Sequence, residues 1–170
     1  MIADILFDEQ TIAARVGELG AAISRDYAGK LPMIVGVLDA SAVFVADLTR
    51  AIEIPSEFDF IALTRYTGSE GIRFEKDTSA SVEGRHVLLV EDTIDTGLTL
   101  SYVLKSLRAR GPASLAVCAL LDRPHRRLAA IELKYRGFEI PDVYVVGYGL
   151  GFKGRYRELP ALYAHGSWPQ

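Results

Sequence analysis

Three short runs constrain the fold more than any other feature of the chain: "PMIVGVLD" (32–39), "RHVLLV" (85–90) and "SLAVCALLD" (114–122). Each is apolar almost throughout rather than at alternate positions. That pattern predicts strands buried on both faces, as in a parallel sheet with helices over both sides. The segments between them supply the helices. Thr11 to Asp26 carries Ile12, Val16, Leu19 and Ile23 at spacings of four, three and four, which is one face of a helix. "SAVFVADLTRAI" (41–52) predicts a second helix stopped near Pro55, and "TLSYVLKSLRARG" (99–111) a third ended by Gly111. "SEFDFIALT" (56–64) alternates well enough for a further strand, and "DVYVVGYGL" (142–150) reads as the last one. Residues 65–84 are polar and Gly-rich, so a loop is expected there, with at most a short strand at Ile72–Phe74. The expectation is an α/β fold: a mostly parallel twisted sheet with helices on both faces, in a single domain spanning 1–170.

Composition narrows the function classes. A net charge of −3 over 170 residues argues against broad binding of nucleic acid or of an anionic membrane. Cys118 is the only cysteine, which excludes an intrachain disulfide and points to a reducing cytoplasm. The start of the chain lacks a basic region followed by an apolar run, so no secretory signal is expected. The most apolar window, Met33 to Leu48, contains Asp39 and Asp47 and is too short and too charged to span a bilayer. His86, His125 and His165 are scattered without zinc-binding spacing.

In open α/β sheets, ligands sit beyond the carboxyl ends of the strands. Asp39, Asp122 and Gly151 fall at such ends, and so does the most crowded group of acids, in "VLLVEDTIDTGLTL" (87–100). Glu91, Asp92 and Asp95 lie within five positions and repel one another unless something compensates. A helix beginning near Leu98 or Thr99 offers free amides and a positive dipole end, and Gly97 lets the backbone approach a ligand closely. Such a start suits a phosphate. Glu91 and Asp92 suit sugar hydroxyls or a hydrated divalent cation, and Asp95 lies between the two regions. A phosphorylated ribose satisfies the whole stretch. The competing reading is a strand-to-helix turn, N-capped by Thr96 or Asp95, with solvated acids around it.

"VLLVEDTIDTGLTL" closely resembles the phosphoribosyl-diphosphate motif of type I phosphoribosyltransferases, two acids followed by "xxDTGxT". The segments "ISRDYAGKLPMIVGVL", "VFVADLTRAIEIP", "DFIAL", "GPASLAVCALLD" and "YRGFEIPDVYVVGYGL" resemble the hypoxanthine(-guanine) branch of that family, from about Ile12 to Leu162. The resemblance implies the type I phosphoribosyltransferase fold, with a small hood from the N- and C-terminal segments and a lid loop at about 65–76. It implies Mg²⁺-dependent transfer of phosphoribosyl from phosphoribosyl diphosphate to a 6-oxopurine, in purine salvage. Partners would be these small molecules, not nucleic acid or membrane, and the protein would be a cytoplasmic homodimer or homotetramer. Carried onto matching positions, Glu91 and Asp92 hold the ribose hydroxyls and serve as metal ligands. Asp95 is the catalytic acid–base partner at purine N7, and Asp95, Thr96, Gly97, Leu98 and Thr99 cradle the 5′-phosphate. Arg123 faces the purine 6-oxo group, Tyr144 stacks on the ring and the Val145 backbone reads its edge. Asp39, Ala40, Tyr66 and Arg157 belong to the diphosphate side.

Departures cluster on that side. The family's "LKG" is "LDA" here (38–40), its lid Ser-Tyr is Arg65-Tyr66, its purine-facing lysine is Arg123, and its metal-holding "GLD" is "GLG", leaving Gly151. Asp39 stands as a candidate replacement metal ligand, on the expectation that it and Gly151 end strands at one sheet edge; the bland reading makes it a solvated acid or a helix N-cap. Two functions therefore stay open: a working enzyme, or an impaired relative that binds a purine nucleotide or phosphorylated ribose. "VLLVED" is also similar to the opening strand of phosphoacceptor receiver domains, but that fold needs four strand–helix units after it, and only 80 residues follow Val90. "DRPHRR" (122–127) reads as a solvated turn that supplies Arg123. Tyr135, Tyr148 and Tyr156 read as core or interface residues, and Trp168 as part of a fraying or packing tail.

Overall fold

The computed structural model describes residues 2–65 and 71–166. In chain order the elements are β1 (Ile2–Phe7), α1 (Glu9–Asp26), β2 (Met33–Val37), α2 (Ala42–Ala51), β3 (Glu57–Arg65), β4 (Ile72–Lys76), β5 (His86–Ile94), α3 (Leu98–Arg108), β6 (Ser114–Asp122), β7 (Tyr135–Glu139), β8 (Tyr144–Val146) and β9 (Leu162–His165). A one-turn helix, Pro124–Arg126, follows β6. Six strands form the main sheet in the order β4-β3-β2-β5-β6-β7, parallel except where β4 returns antiparallel to β3. The acidic strand is therefore central and late in the chain, which rules out the receiver arrangement.

The apolar runs bury both faces of this sheet, as their composition requires. On one side Leu88, Val90, Cys118 and Leu120 pack with Ile12, Val16 and Leu19 of α1 and Phe44, Val45 and Leu48 of α2. Val87, Leu89, Val117 and Ala119 face the other way, onto Leu100, Val103, Leu104 and Leu107 of α3. Alternate residues of one strand thus feed two separate cores. α1 is N-capped where Asp8 Oδ1 accepts the Thr11 amide at 2.8 Å, so the helix begins at Glu9, two residues ahead of the expected start. It crosses α2 closely because Gly20 has no side chain; a Cβ there would lie 2.4 Å from the Ala51 carbonyl oxygen.

Three strands escape the sequence pattern. β7 is masked by Gly137, whose bare Cα lets β7 approach β6; a Cβ there would lie 2.2 Å from the Leu120 oxygen. β9 pairs with both β1 and β8 in a second, antiparallel sheet of order β1-β9-β8. The expected last strand, 142–150, is thus only Tyr144–Val146, and it lies outside the main sheet. Its path breaks at Gly147, Tyr148 and Gly149, whose φ values are +97°, +50° and +95°. Tyr148 holds this left-handed conformation with its ring buried and its hydroxyl donating to Asp47 Oδ2 at 2.6 Å. The expected short strand near Ile72–Phe74 runs to Lys76, whose ammonium group donates to Asp59 and the Phe60 carbonyl. Tyr66 and Trp168 lie outside the described residues. Among the described residues no helix is long and apolar enough to cross a membrane.

Candidate active site

β5 does not stop at Val90. It continues in register with β6, pairing Glu91 with Ala119, Thr93 with Leu121 and Ile94 with Asp122. Glu91 and Asp92 therefore sit on the strand, not in the loop that the crowding suggested; β-branched Thr93 and Ile94 favour the extended ladder. The turn is shorter, Asp95 to Gly97. Gly97, at φ +78°, caps α3, and no side chain takes the cap position expected of Thr96 or Asp95. The Leu98 amide donates to Thr96 Oγ1 at 3.4 Å, and the start of α3 turns its positive dipole end toward the turn. A cleft of about 270 Å³ opens here, lined by Glu91, Asp92, Asp95, Thr96, Gly97 and Thr99. Leu98 is 55% exposed and is not part of this lining.

The turn is braced from behind. The Thr96 carbonyl accepts the amides of Leu128 and Ala129 at 2.9 and 3.1 Å. A Cβ on Gly97 would lie 3.0 Å from both Arg127 Cδ and Ile131 Cγ1. Arg127 in turn pairs with Asp122, an acid only 1% exposed that also forms an ion pair with Arg136, Nε to Oδ2 at 2.9 Å. The segment expected as a solvated turn is thus structural: its arginines satisfy acids at the carboxyl ends of β5 and β6.

A second cleft of about 230 Å³ shares Asp92, Thr93 and Asp95 with the first and adds Arg123, Tyr144 and Val145. Ala40, Gly151 and Arg157 also border it. The Arg123 side chain is 6% exposed, and its Nη2 donates to the Val143 carbonyl at 2.7 Å. Burial lowers its pKa, with nearby Asp95, Asp142 and Asp92 opposing. Burial likewise pushes the Asp92 carboxyl above the ordinary carboxylate range, against the pull of a Thr93 hydrogen bond and the positive charges of Arg157 and Arg123.

The diphosphate side differs from expectation. Asp39 and Gly151 lie in turns that follow strands of different sheets, because 144–146 pairs with β9 and not with the main sheet. Their turns still meet: a Cβ on Gly149 would lie 2.4 Å from the Ala40 oxygen. Asp39 itself is exposed and lines neither cleft. Nor does its side chain cap α2; Ser41 holds that position and donates Oγ to the Val37 carbonyl at 2.6 Å. Arg157 folds back with Nη1 on the Gly149 carbonyl at 2.7 Å. A Cβ at 151 would be 2.8 Å from Arg157 Cγ, so the arginine lies where an acid's stem would start. The Tyr144 hydroxyl donates to the Gly151 carbonyl at 2.8 Å, fixing the ring.

One contact was missed at the sequence level. Arg126 donates Nε to Asp95 Oδ1 at 2.5 Å and Nη1 to Asp142 Oδ1 at 3.1 Å. The only signal was the run of three arginines in "DRPHRR", and nothing in their spacing ties one to an acid 31 residues away. As for Mg²⁺, no group of three or more His, Cys, Asp or Glu among the described residues converges on a metal position. Glu91 and Asp92 do supply the hard oxygen donors that Mg²⁺ favours, in the number usual when substrate oxygens and water complete the shell.

Fold and site define a doubly covered, mostly parallel α/β protein that presents a glycine-led helix start and a row of acids at the carboxyl end of its central strand. The chain belongs to the phosphoribosyltransferase family: residues 3–153 match the family model described as "Phosphoribosyl transferase domain". It is 43% identical to the hypoxanthine-guanine phosphoribosyltransferase of Bacillus subtilis over 165 residues, covering 95% of this chain and 92% of that protein. To the Mycobacterium avium enzyme of the same name it is also 43% identical over 168 residues, covering 93% and 83%. The crystal structure of a hypoxanthine phosphoribosyltransferase from Staphylococcus aureus superposes with a TM-score of 0.92 at 39% identity, covering 96% of this chain and 91% of that one.

Proposed function

We propose that the protein is a purine-salvage enzyme that transfers phosphoribosyl from phosphoribosyl diphosphate to N9 of hypoxanthine or guanine. The N9 lone pair forms the new bond to C1′ as the C1′–oxygen bond breaks. Diphosphate leaves with the bonding pair, and the purine N7 proton passes to Asp95. One observation carries this reading: the two clefts share Asp92, Thr93 and Asp95, so a phosphoribosyl group in one meets a base in the other.

The turn 95–99 holds the 5′-phosphate through backbone amides, while Glu91 and Asp92 hold the ribose hydroxyls. Arg123 donates to the 6-oxo group, Tyr144 stacks on the ring, and the Val145 backbone reads the purine edge. Ala40, Tyr66 and Arg157 attend the diphosphate; Asp39 is left out, because it is exposed and lines neither cleft. Glu91 and Asp92 would hold Mg²⁺, whose charge would offset that of the leaving diphosphate. Positive charge builds on C1′ in the transition state, and the acids around it stabilise that charge without reorganising.

The test is pyrophosphate release with hypoxanthine, guanine and xanthine at saturating phosphoribosyl diphosphate and Mg²⁺. Asp95→Asn is expected to lower kcat at least a hundredfold, the scale of a lost general base. Turnover within twofold of wild type would remove Asp95 from the chemistry. The position of Arg157 over Gly151 favours a second reading, a binder impaired on the diphosphate side. Tight inosine monophosphate binding by wild type without turnover would establish that reading.

A further inference from the structure

Arg126 joins two acids from different segments. Its Nε donates to Asp95 Oδ1 at 2.5 Å, and its Nη1 lies 3.1 and 3.4 Å from the two oxygens of Asp142. Asp95 is the acid common to both clefts, and Asp142 lies two residues ahead of Tyr144. The three side chains are 33%, 37% and 50% exposed, so water and ligand reach the group. An ion pair of that exposure contributes about 1 kcal/mol or less to stability. Its geometry is more informative than its strength. A guanidinium is a rigid planar fork, and here its Nε takes Oδ1 of Asp95 while its Nη1 faces Asp142.

Resting on the reading of Asp95 as the group that receives the purine proton, we propose that Arg126 is a positioning residue for this reaction. It grips Oδ1 of Asp95 so that Oδ2 meets N7 of the incoming purine. The proton moves from N7 to Oδ2, and the carboxylate loses its charge. Arg126 then retains a charged partner in Asp142, so the transfer leaves no bare cation at the mouth of the site. Asp142 is thus the counterweight of Asp95. The brace behind the turn comes from the same segment, since Leu128 and Ala129 bind the Thr96 carbonyl; the orientation of Asp95 and the shape of the phosphate turn are set together.

The experiment uses the full chain with Arg126→Gln, Arg126→Lys, Arg126→Ala and Asp142→Asn. Expected for Arg126→Gln is a ten- to hundredfold fall in kcat with hypoxanthine, the scale of a misplaced reacting group. The KM for phosphoribosyl diphosphate should stay within twofold and Tm within about 2 °C. Ethylguanidinium added to Arg126→Ala should restore at least a fifth of the lost rate, Arg126→Lys should fall between wild type and Arg126→Gln, and Asp142→Asn should lose less than tenfold. Unchanged kcat in Arg126→Gln overturns the proposal. So does a loss shared equally by both substrates' KM values with a falling Tm, which marks a merely structural contact. Absence of turnover in wild type defeats the functional reading instead. Arg126 is then judged by inosine monophosphate binding, and a Kd for Arg126→Gln within threefold of wild type overturns the proposal there.

Discussion

The two halves of the site are built from different materials. The half proposed for phosphate and ribose is one continuous stretch, Glu91 to Thr99, shaped by a strand end, a glycine at φ +78° and a helix start. The half proposed for purine and diphosphate gathers Ala40, Arg123, Tyr144, Gly151 and Arg157 from four separate segments. A backbone-built half leaves little to vary, because its donors are amides whose direction follows from the turn. A half built from side chains has many independent parts, and that is where this chain departs from its family's pattern. The Gly151 departure has a visible physical complement, with Arg157 lying against the vacated position.

The contrast is most exposed to a change that spoils the backbone half. Gly97→Ala places a Cβ at positive φ and 3.0 Å from Arg127 Cδ and Ile131 Cγ1, so the brace must move. The left-handed conformation alone costs about 1–2 kcal/mol. Inosine monophosphate binding by calorimetry should weaken more than tenfold, with Tm lower by about 4 °C. Retained affinity would show that the turn is not the phosphate seat.

A smaller effect is expected on the side-chain half. Gly151→Asp should push Arg157 off the Gly149 carbonyl and lower the Mg²⁺ concentration giving half-maximal rate at least threefold, with little change in Tm. An unchanged Mg²⁺ titration would mean that position 151 no longer bears on the metal.

The smallest expected effect lies at the seam. Burial raises the Asp92 pKa above its ordinary 3.8, so the ionised form opposes folding from that pH upward, increasingly as pH climbs through the folded-state value. Asp92→Asn should therefore raise the Tm of the ligand-free protein by about 2–4 °C at pH 7, for about 1 kcal/mol. Below pH 3.8, where both states are protonated, the gain should vanish. The same variant should bind inosine monophosphate more weakly. A lower Tm at pH 7 would show that Asp92 is held by partners rather than strained by burial.

Much of this was legible before the coordinates. The doubly buried strands, α1 to α3 and the acid-rich turn follow from apolar runs and one motif, because each is encoded by neighbours in sequence. The extension of β5 through Ile94 was not, since the carboxylates outweigh the β-branched signal of Thr93 and Ile94 in any local reading. The second sheet was hidden for another reason. β8 has only three residues, and β9 draws its other partner, β1, from Ile2–Phe7, so nothing nearby announces that pairing. Arg126 was illegible because a salt bridge across 31 residues has no sequence period.

The pairing of β1 with β9 has a consequence for the life history of the molecule. Ile2 aligns with His165, and Tyr144 aligns with the same histidine, so the strand bearing the ring proposed to stack on the purine shares its sheet with two strands far apart in sequence. Closing so wide a loop is entropically late in folding. On the ribosome, residues 95–99 emerge before Leu162–His165, so the turn proposed for the phosphate takes shape before the sheet that carries Tyr144 is complete.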